Sequence, residues 1–219
     1  MVPSHRVLLP DDTPVLFRPL RPDDREGVER AFDELSPRTR YLRFHASAPS
    51  SATVLEELAQ VEQHDHLAWV AIAEGAPDRG IGLARCVRLT DQPEVAETAV
   101  TVLDEYQRHG VGTLLTGLLG YAALAVGVRQ LRAYVLRENA LVLALLEQAG
   151  ARSHAEDSGL VRLDLSLPTS PDEWPENAVG EALRAIAQGR LQSVVDRWSY
   201  ADAGGSPDLT AWLDAVENG

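Results

Sequence analysis

The 219-residue sequence carries 45% hydrophobic residues and one cysteine, enough for one well-packed domain and an appendage held by packing rather than disulfides. All 20 basic residues are arginine, which excludes a Walker A phosphate loop, a Schiff base and a pyridoxal-phosphate anchor; the net charge of −13 disfavours nucleic acid and favours cationic partners such as amines or basic protein surfaces. No run approaches the roughly 18 apolar residues of a membrane span, and Met1 to Pro10 lack a secretory layout, so a cytoplasmic protein without membrane contact is expected.

Pro14 to Arg21 reads as a first strand near a sheet edge. Pro22, Asp23 and Asp24 open a helix whose apolar positions Val28, Ala31, Phe32 and Leu35 recur at three- and four-residue spacing. Ser36 and Pro37 read as the cap and first turn of a second helix carrying Tyr41, Leu42 and Phe44, and a third helix is expected from Ser51 to Val61. Strand-like runs follow at Leu67 to Ala73, Ile81 to Leu89 and Val95 to Leu103, with connections short enough for an antiparallel meander. A long apolar helix from Val111 to about Val126 separates the last of these from a strand at Leu131 to Leu136, which predicts a parallel pair through a right-handed crossover. A helix from Ala140 to Gln148 ends at Gly150, and a strand from Leu160 to Leu167 closes a domain spanning residues 1–167. Residues 168–219 read as an acidic helical extension, with helices near 178–188, 191–199 and 209–216. Its Trp174, Trp198 and Trp212 call for a packing partner, either the chain's own core or a second copy, which leaves room for a homodimer.

The most informative stretch is Gln107-Arg108-His109-Gly110-Val111-Gly112-Thr113, between a strand and a long helix. Gly110 and Gly112 let the backbone approach a ligand, and the unpaired N–H groups of a first helical turn attract an anion, so a pyrophosphate fits. The dinucleotide fingerprint fails: Leu115 stands at its third glycine, and Gln130 stands where an acid is required, which disfavours NAD.

This Gln-x-x-Gly-x-Gly pattern, the strand Ala96-Glu97-Thr98-Ala99-Val100-Thr101-Val102, the Arg137-Glu138-Asn139-Ala140 helix entry and the order of elements resemble the Gcn5-related N-acetyltransferase (GNAT) superfamily over about Val15 to Leu167. The resemblance implies an α/β (α+β) fold: a mixed, mostly antiparallel sheet flanked by helices and splayed between the strands ending near Leu103 and near Leu131, where acetyl-CoA enters. It implies that Gln107 to Thr113 hold the CoA pyrophosphate, that Val100, Thr101 and Val102 pair with the pantetheine arm, and that Asn139 contacts the cofactor or caps its helix. No metal is implied.

Acetyl transfer to an amine needs a neutral nucleophile, and an ammonium of lysine type has a reference pKa of about 10.4, so a base must take its proton. Glu97 is the candidate. The strand around it is similar to that of bacterial protein lysine acetyltransferases, which implies a glutamate base acting directly or through one water, with the Val102 backbone N–H as oxyanion donor. Many family members place a thiolate-protonating tyrosine where this chain has Leu146, so the general acid is unassigned. The segment Ser36 to Phe44 is similar to the acceptor-site wall of that branch, or is an amphipathic helix with its arginines in water. His64-Asp65-His66 reads as a solvated turn rather than a metal site. Protein lysine is the favoured acceptor. A small amine such as a polyamine or antibiotic, and a non-catalytic acyl-CoA-binding module, are the rivals.

Overall fold

The computed structural model describes residues 4–44, 56, 58, 61–75, 78–156 and 159–196. Nearly all of the helix expected at 51–61, the end of that at 191–199, the helix at 209–216, and Trp198 and Trp212 lie outside the described residues.

Eight strands, β1 (His5–Leu8), β2 (Pro14–Pro19), β3 (His66–Ala73), β4 (Arg79–Arg88), β5 (Val95–Val102), β6 (Gln130–Leu136), β7 (Arg152–Ala155) and β8 (Leu160–Ser166), form one sheet in the order β1-β2-β3-β4-β5-β6-β8-β7. The helices described end to end are α1 (Arg25–Glu34), α2 (Pro37–Phe44), α3 (Val111–Ala125), α4 (Ala140–Gln148) and α5 (Ala178–Ala187). Six strands fall where β-branched alternation and turn residues place them. The other two, β1 and β7, are four-residue strands too short for a periodic signal. β1 forms the edge and β2 lies next to it, near the edge as expected.

All neighbouring strands are antiparallel except β5 and β6, which pair in parallel over Val95–Glu97 and Gln130–Arg132. Past that point β5 stays with β4 as far as Val102, and β6 stays with β8 as far as Leu136, so the two strands part. The expected splay begins at Glu97 and Arg132.

Side chains alternate across a strand. Thr98, Val100 and Val102 share a face with Ala84 and Cys86, their register partners or neighbours, under α3; Glu97, Ala99 and Thr101 face the side of α1 and α2. Burial pushes the Cys86 thiol up to about 12, consistent with a small core residue.

Helix α3 is apolar nearly all round because it is covered on two sides. The sheet lies under it, and α5 of the C-terminal segment lies over it. A Cβ on Gly117 would stand 2.5 Å from Ile186 Cδ1, so the glycine permits this close crossing. Trp174 Nε1 donates to the Tyr121 hydroxyl at 3.2 Å, and that hydroxyl donates to the Leu183 carbonyl at 3.3 Å. Val179, Leu183, Ile186, Leu191 and Val194 join the same hydrophobic core as α3. The Gln192 side-chain amide accepts from Leu8 N–H at 2.8 Å and donates to Leu8 C=O at 2.9 Å, which satisfies part of the open edge of β1. No helix among the described residues is long and apolar enough to cross a membrane.

Candidate active site

The register determines which backbone groups face the splay. Leu89 N–H donates to Val95 C=O and Leu103 N–H to Ile81 C=O, both at 2.9 Å, so odd-numbered residues of β5 bond to β4. The amides of Thr98, Val100 and Val102 therefore turn toward the gap left by β6. A cleft of about 270 Å³ occupies it, lined by Val100, Thr101, Val102, Gln107, Arg108, Gly110, Gly112, Thr113 and Asn139. These nine of the expected cofactor residues come together. Val111 is buried in the core instead, and His109 is absent from the lining and close enough to Asp11 to help hold its carboxyl down, after the hydrogen bonds from Thr13.

The loop geometry follows from its residue types. Gly110 caps α3 with φ 78°, a left-handed conformation cheap only for glycine, and Arg108 also has positive φ, 63°. A Cβ on Gly112 would meet only Val102 Cγ2, at an ordinary 3.7 Å. Protein packing thus does not require glycine there, and the space over the helix N-terminus is left for a ligand. Gln107 braces the turn: its Nε2 donates to Val102 C=O at 3.1 Å and to Thr39 Oγ1 at 3.3 Å. Asn139 accepts from Val142 N–H at 3.5 Å, so it caps α4 and lines the cleft at once. Leu146 lines the cleft as well.

Helix α2 crosses the gap. The Ser36 hydroxyl accepts from Thr39 N–H at 3.1 Å, the cap expected from sequence, and itself donates to Asp104 at 2.8 Å. Thr39 Oγ1 donates to the same carboxylate at 2.8 Å. Burial pulls the Asp104 carboxyl up, but these hydrogen bonds outweigh it and hold the group below the ordinary carboxylate value. Thr39, Leu42 and Arg43, at positions i, i+3 and i+4, line the cleft. The arginines of α2 are not simply solvated: Arg40 lies over the Phe32 ring and donates to the Phe32 and Asp33 carbonyls, while Arg43 lies over Phe44. Thr39, Leu42 and Arg43, from the segment expected to wall the acceptor site, line this cleft, and Thr98 and Tyr134 extend it beyond the cofactor residues expected from sequence. The helical spacing in Ser36 to Phe44 carried the signal for the first three.

On the other side of β5 a second cavity, also about 270 Å³, lies between α1, α2 and the sheet. Its lining combines apolar walls, including Val28, Phe32, Phe44 and Leu83, with the carboxylates of Asp23, Asp24, Glu26 and Asp78 and the guanidinium groups of Arg18, Arg30, Arg43 and Arg85. Arg18, also in the lining, is neutralised by Asp24 through bonds of 2.6 and 2.7 Å. Thr101 and Arg43 line both cavities, so the two meet across β5.

Glu97 stands at the start of the splay, exposed and outside the lining of either cavity. Five residues of extended strand separate it from Val102, about 16 Å, so the two do not converge on one point without intervening water. In the turn before β3, His64 and Asp65 are exposed, and Asp65 bonds to Arg88 at 2.7 Å; His66, expected in solvent, is buried as the first residue of β3. Among the described residues no group of three or more His, Cys, Asp or Glu is placed to hold a metal.

The family model for the acetyltransferase (GNAT) domain matches residues 15–152. The Acetyltransferase Pat of Mycolicibacterium smegmatis is 36% identical over 181 residues, covering 78% of this chain and 54% of its own length. This chain therefore spans about half of that relative. The Acetyltransferase PA5475 of Pseudomonas aeruginosa is 34% identical over 125 residues, covering 56% of this chain and 67% of its own. Among solved structures, the GNAT domain of S. lividans PAT superposes with a TM-score of 0.67 at 26% identity, over 75% of this chain and 97% of that one. A cAMP-binding acyltransferase from Mycobacterium smegmatis superposes with a TM-score of 0.53 at 28% identity, over 88% of this chain and 56% of that one.

Proposed function

Because the chain belongs to the acetyltransferase (GNAT) family, we propose that it transfers the acetyl group of acetyl-CoA to the side-chain amine of a protein lysine, with Glu97 as general base. One observation carries the reading: a cleft with free-facing strand amides and a helix N-terminus lies on one side of β5, a second cavity with apolar walls and both carboxylates and arginines in its lining lies on the other, and they meet at Thr101 and Arg43. The cleft suits a diphosphate bound at Gly110 to Thr113 and a pantetheine arm extended along Val102 and Val100. The cavity's apolar walls suit the methylene stem of a lysine side chain.

In this reading the amine nitrogen attacks the thioester carbonyl beside Thr101. The Val102 N–H stabilises the oxyanion of the tetrahedral intermediate; on its collapse the C–S bond breaks and the second proton lost by the nitrogen passes through solvent to the departing CoA thiolate. The ammonium proton passes to Glu97 along a chain of several waters, since about 16 Å of strand separates that residue from a carbonyl at Val102. The resemblance of the β5 strand to bacterial protein lysine acetyltransferases supports lysine over a small amine.

Thiol release from acetyl-CoA with poly-L-lysine, with spermidine and with neither tests the reading. Turnover with poly-L-lysine that Glu97→Gln abolishes, with CoA affinity retained, is the expected result. Turnover on spermidine alone replaces the acceptor, and undiminished turnover by the variant removes the base. CoA binding without turnover on any amine favours a binding module.

A further inference from the structure

Four strands place one residue each in a single row. Glu97 of β5 pairs in register with Arg132 of β6, Arg132 with Asp164 of β8, and Asp164 with Arg152 of β7. Residues paired in this way project from the same face at the strand spacing of about 4.8 Å. An arginine that close to a glutamate ordinarily takes it as an ion-pair partner, and a carboxylate so engaged is a poor proton acceptor. Here the guanidinium turns the other way. Arg132 Nε lies 2.7 Å from Asp164 Oδ1 and Nη2 lies 3.4 Å from Oδ2. Both side chains are 13% exposed, so the pair is well shielded.

Asp164 is held from its far side too, with Arg162 Nε at 3.5 Å and His154 Nε2 at 3.7 Å. Burial pulls its carboxyl up, but Arg132, Arg162 and His154 outweigh that and keep it below the ordinary range, ionised at neutral pH. Charged and titratable groups reach this face from several packed elements, Arg152, His154 and Arg162 through Asp164. β4 contributes the apolar Val87 directly opposite and Arg85 opposite Ala99. β6 contributes Arg132 and Tyr134, β8 Asp164, and α2 Arg43 over the neighbouring cleft. Asp91 lies near enough to Arg132 to add to its negative surroundings.

We propose that Arg132 and Asp164 are positioning residues for Glu97: Asp164 holds the guanidinium away from the glutamate, and the paired charges leave it available to accept a proton. The proposal rests on Glu97 being the base. It assigns the two members opposite effects. Without the Asp164 charge, Arg132 is free to bind Glu97; without Arg132, the Glu97 carboxylate faces that of Asp164 with no guanidinium between them.

The test is the pH dependence of kcat/KM, with acetyl-CoA and whichever of poly-L-lysine or spermidine gives the faster thiol release. Asp164→Asn is expected to move the acid limb to lower pH by about half a unit to one unit and to lower the plateau. Arg132→Gln is expected to move the limb to higher pH by a similar amount. Arg132→Lys, which keeps the charge, and the double variant Arg132→Gln/Asp164→Asn are expected near the wild-type limb. A merely structural pair predicts lower activity with an unmoved limb in every variant. That outcome, or shifts in the same direction for both single variants, overturns the proposal while leaving Glu97 as base. Turnover retained by Glu97→Gln instead overturns the base itself. If Asp164→Asn does not fold, the contrast between Arg132→Gln and Arg132→Lys decides.

Discussion

Replacing Gly112 by alanine separates the fold from the cofactor site. The glycine has no left-handed φ, lies in the first turn of α3, and its added Cβ would meet only Val102 Cγ2 at 3.7 Å. An alanine in an unstrained helical position is worth about 0.5–1 kcal/mol over glycine, so the melting temperature is expected to rise by roughly 1–4 °C. The same methyl group would occupy the space through which a diphosphate reaches the helix amides. Losing one hydrogen bond to a charged group costs about 1.5–3 kcal/mol, or roughly tenfold to hundredfold in Kd. Calorimetric titration with CoA and a thermal melt of the same sample give both quantities. A variant that melts no lower yet binds CoA at least tenfold more weakly bears the reasoning out; unchanged affinity refutes the placement of the diphosphate at this turn.

Three further outcomes follow from the packing. Ile186→Ala, at the crossing of α5 over Gly117, is expected to cost about 2–5 kcal/mol in urea unfolding, because the segment after residue 168 shares the core of α3. Asp104 is held below its unfolded value near 3.9, so its contribution is present above that pH and lost as pH falls through the lower folded value. The melting-temperature gap between wild type and Asp104→Asn should be open at neutral pH and closed in strong acid. Cys86 is fully buried with its thiol pushed up to about 12, so a thiol reagent should react only on unfolding, leaving the CoA thiol as the signal in release assays.

Local chemistry made part of this molecule legible in sequence. The Gln107 to Thr113 turn could be read because its requirements are local: glycine at φ 78° for the cap and a bare position over the amides. Ser36 could be read as a cap for the same reason. The parallel β5–β6 pair followed from the crossover helix between them. What escaped was long-range. His66 is buried because β3 begins one residue earlier than its apolar run, and β7 exists only because β8 offers an edge. The roof formed by α2 depends on Asp104, 68 residues from Ser36 in sequence. The row Glu97, Arg132, Asp164 depends on a register that no single stretch encodes.

A crystal structure with CoA bound locates the cofactor phosphates. Diphosphate oxygens within hydrogen-bonding distance of the backbone N–H groups between Gly110 and Thr113, with the pantetheine arm against Val100 and Val102, are the predicted result. A diphosphate bound at any other place on the sheet would contradict it.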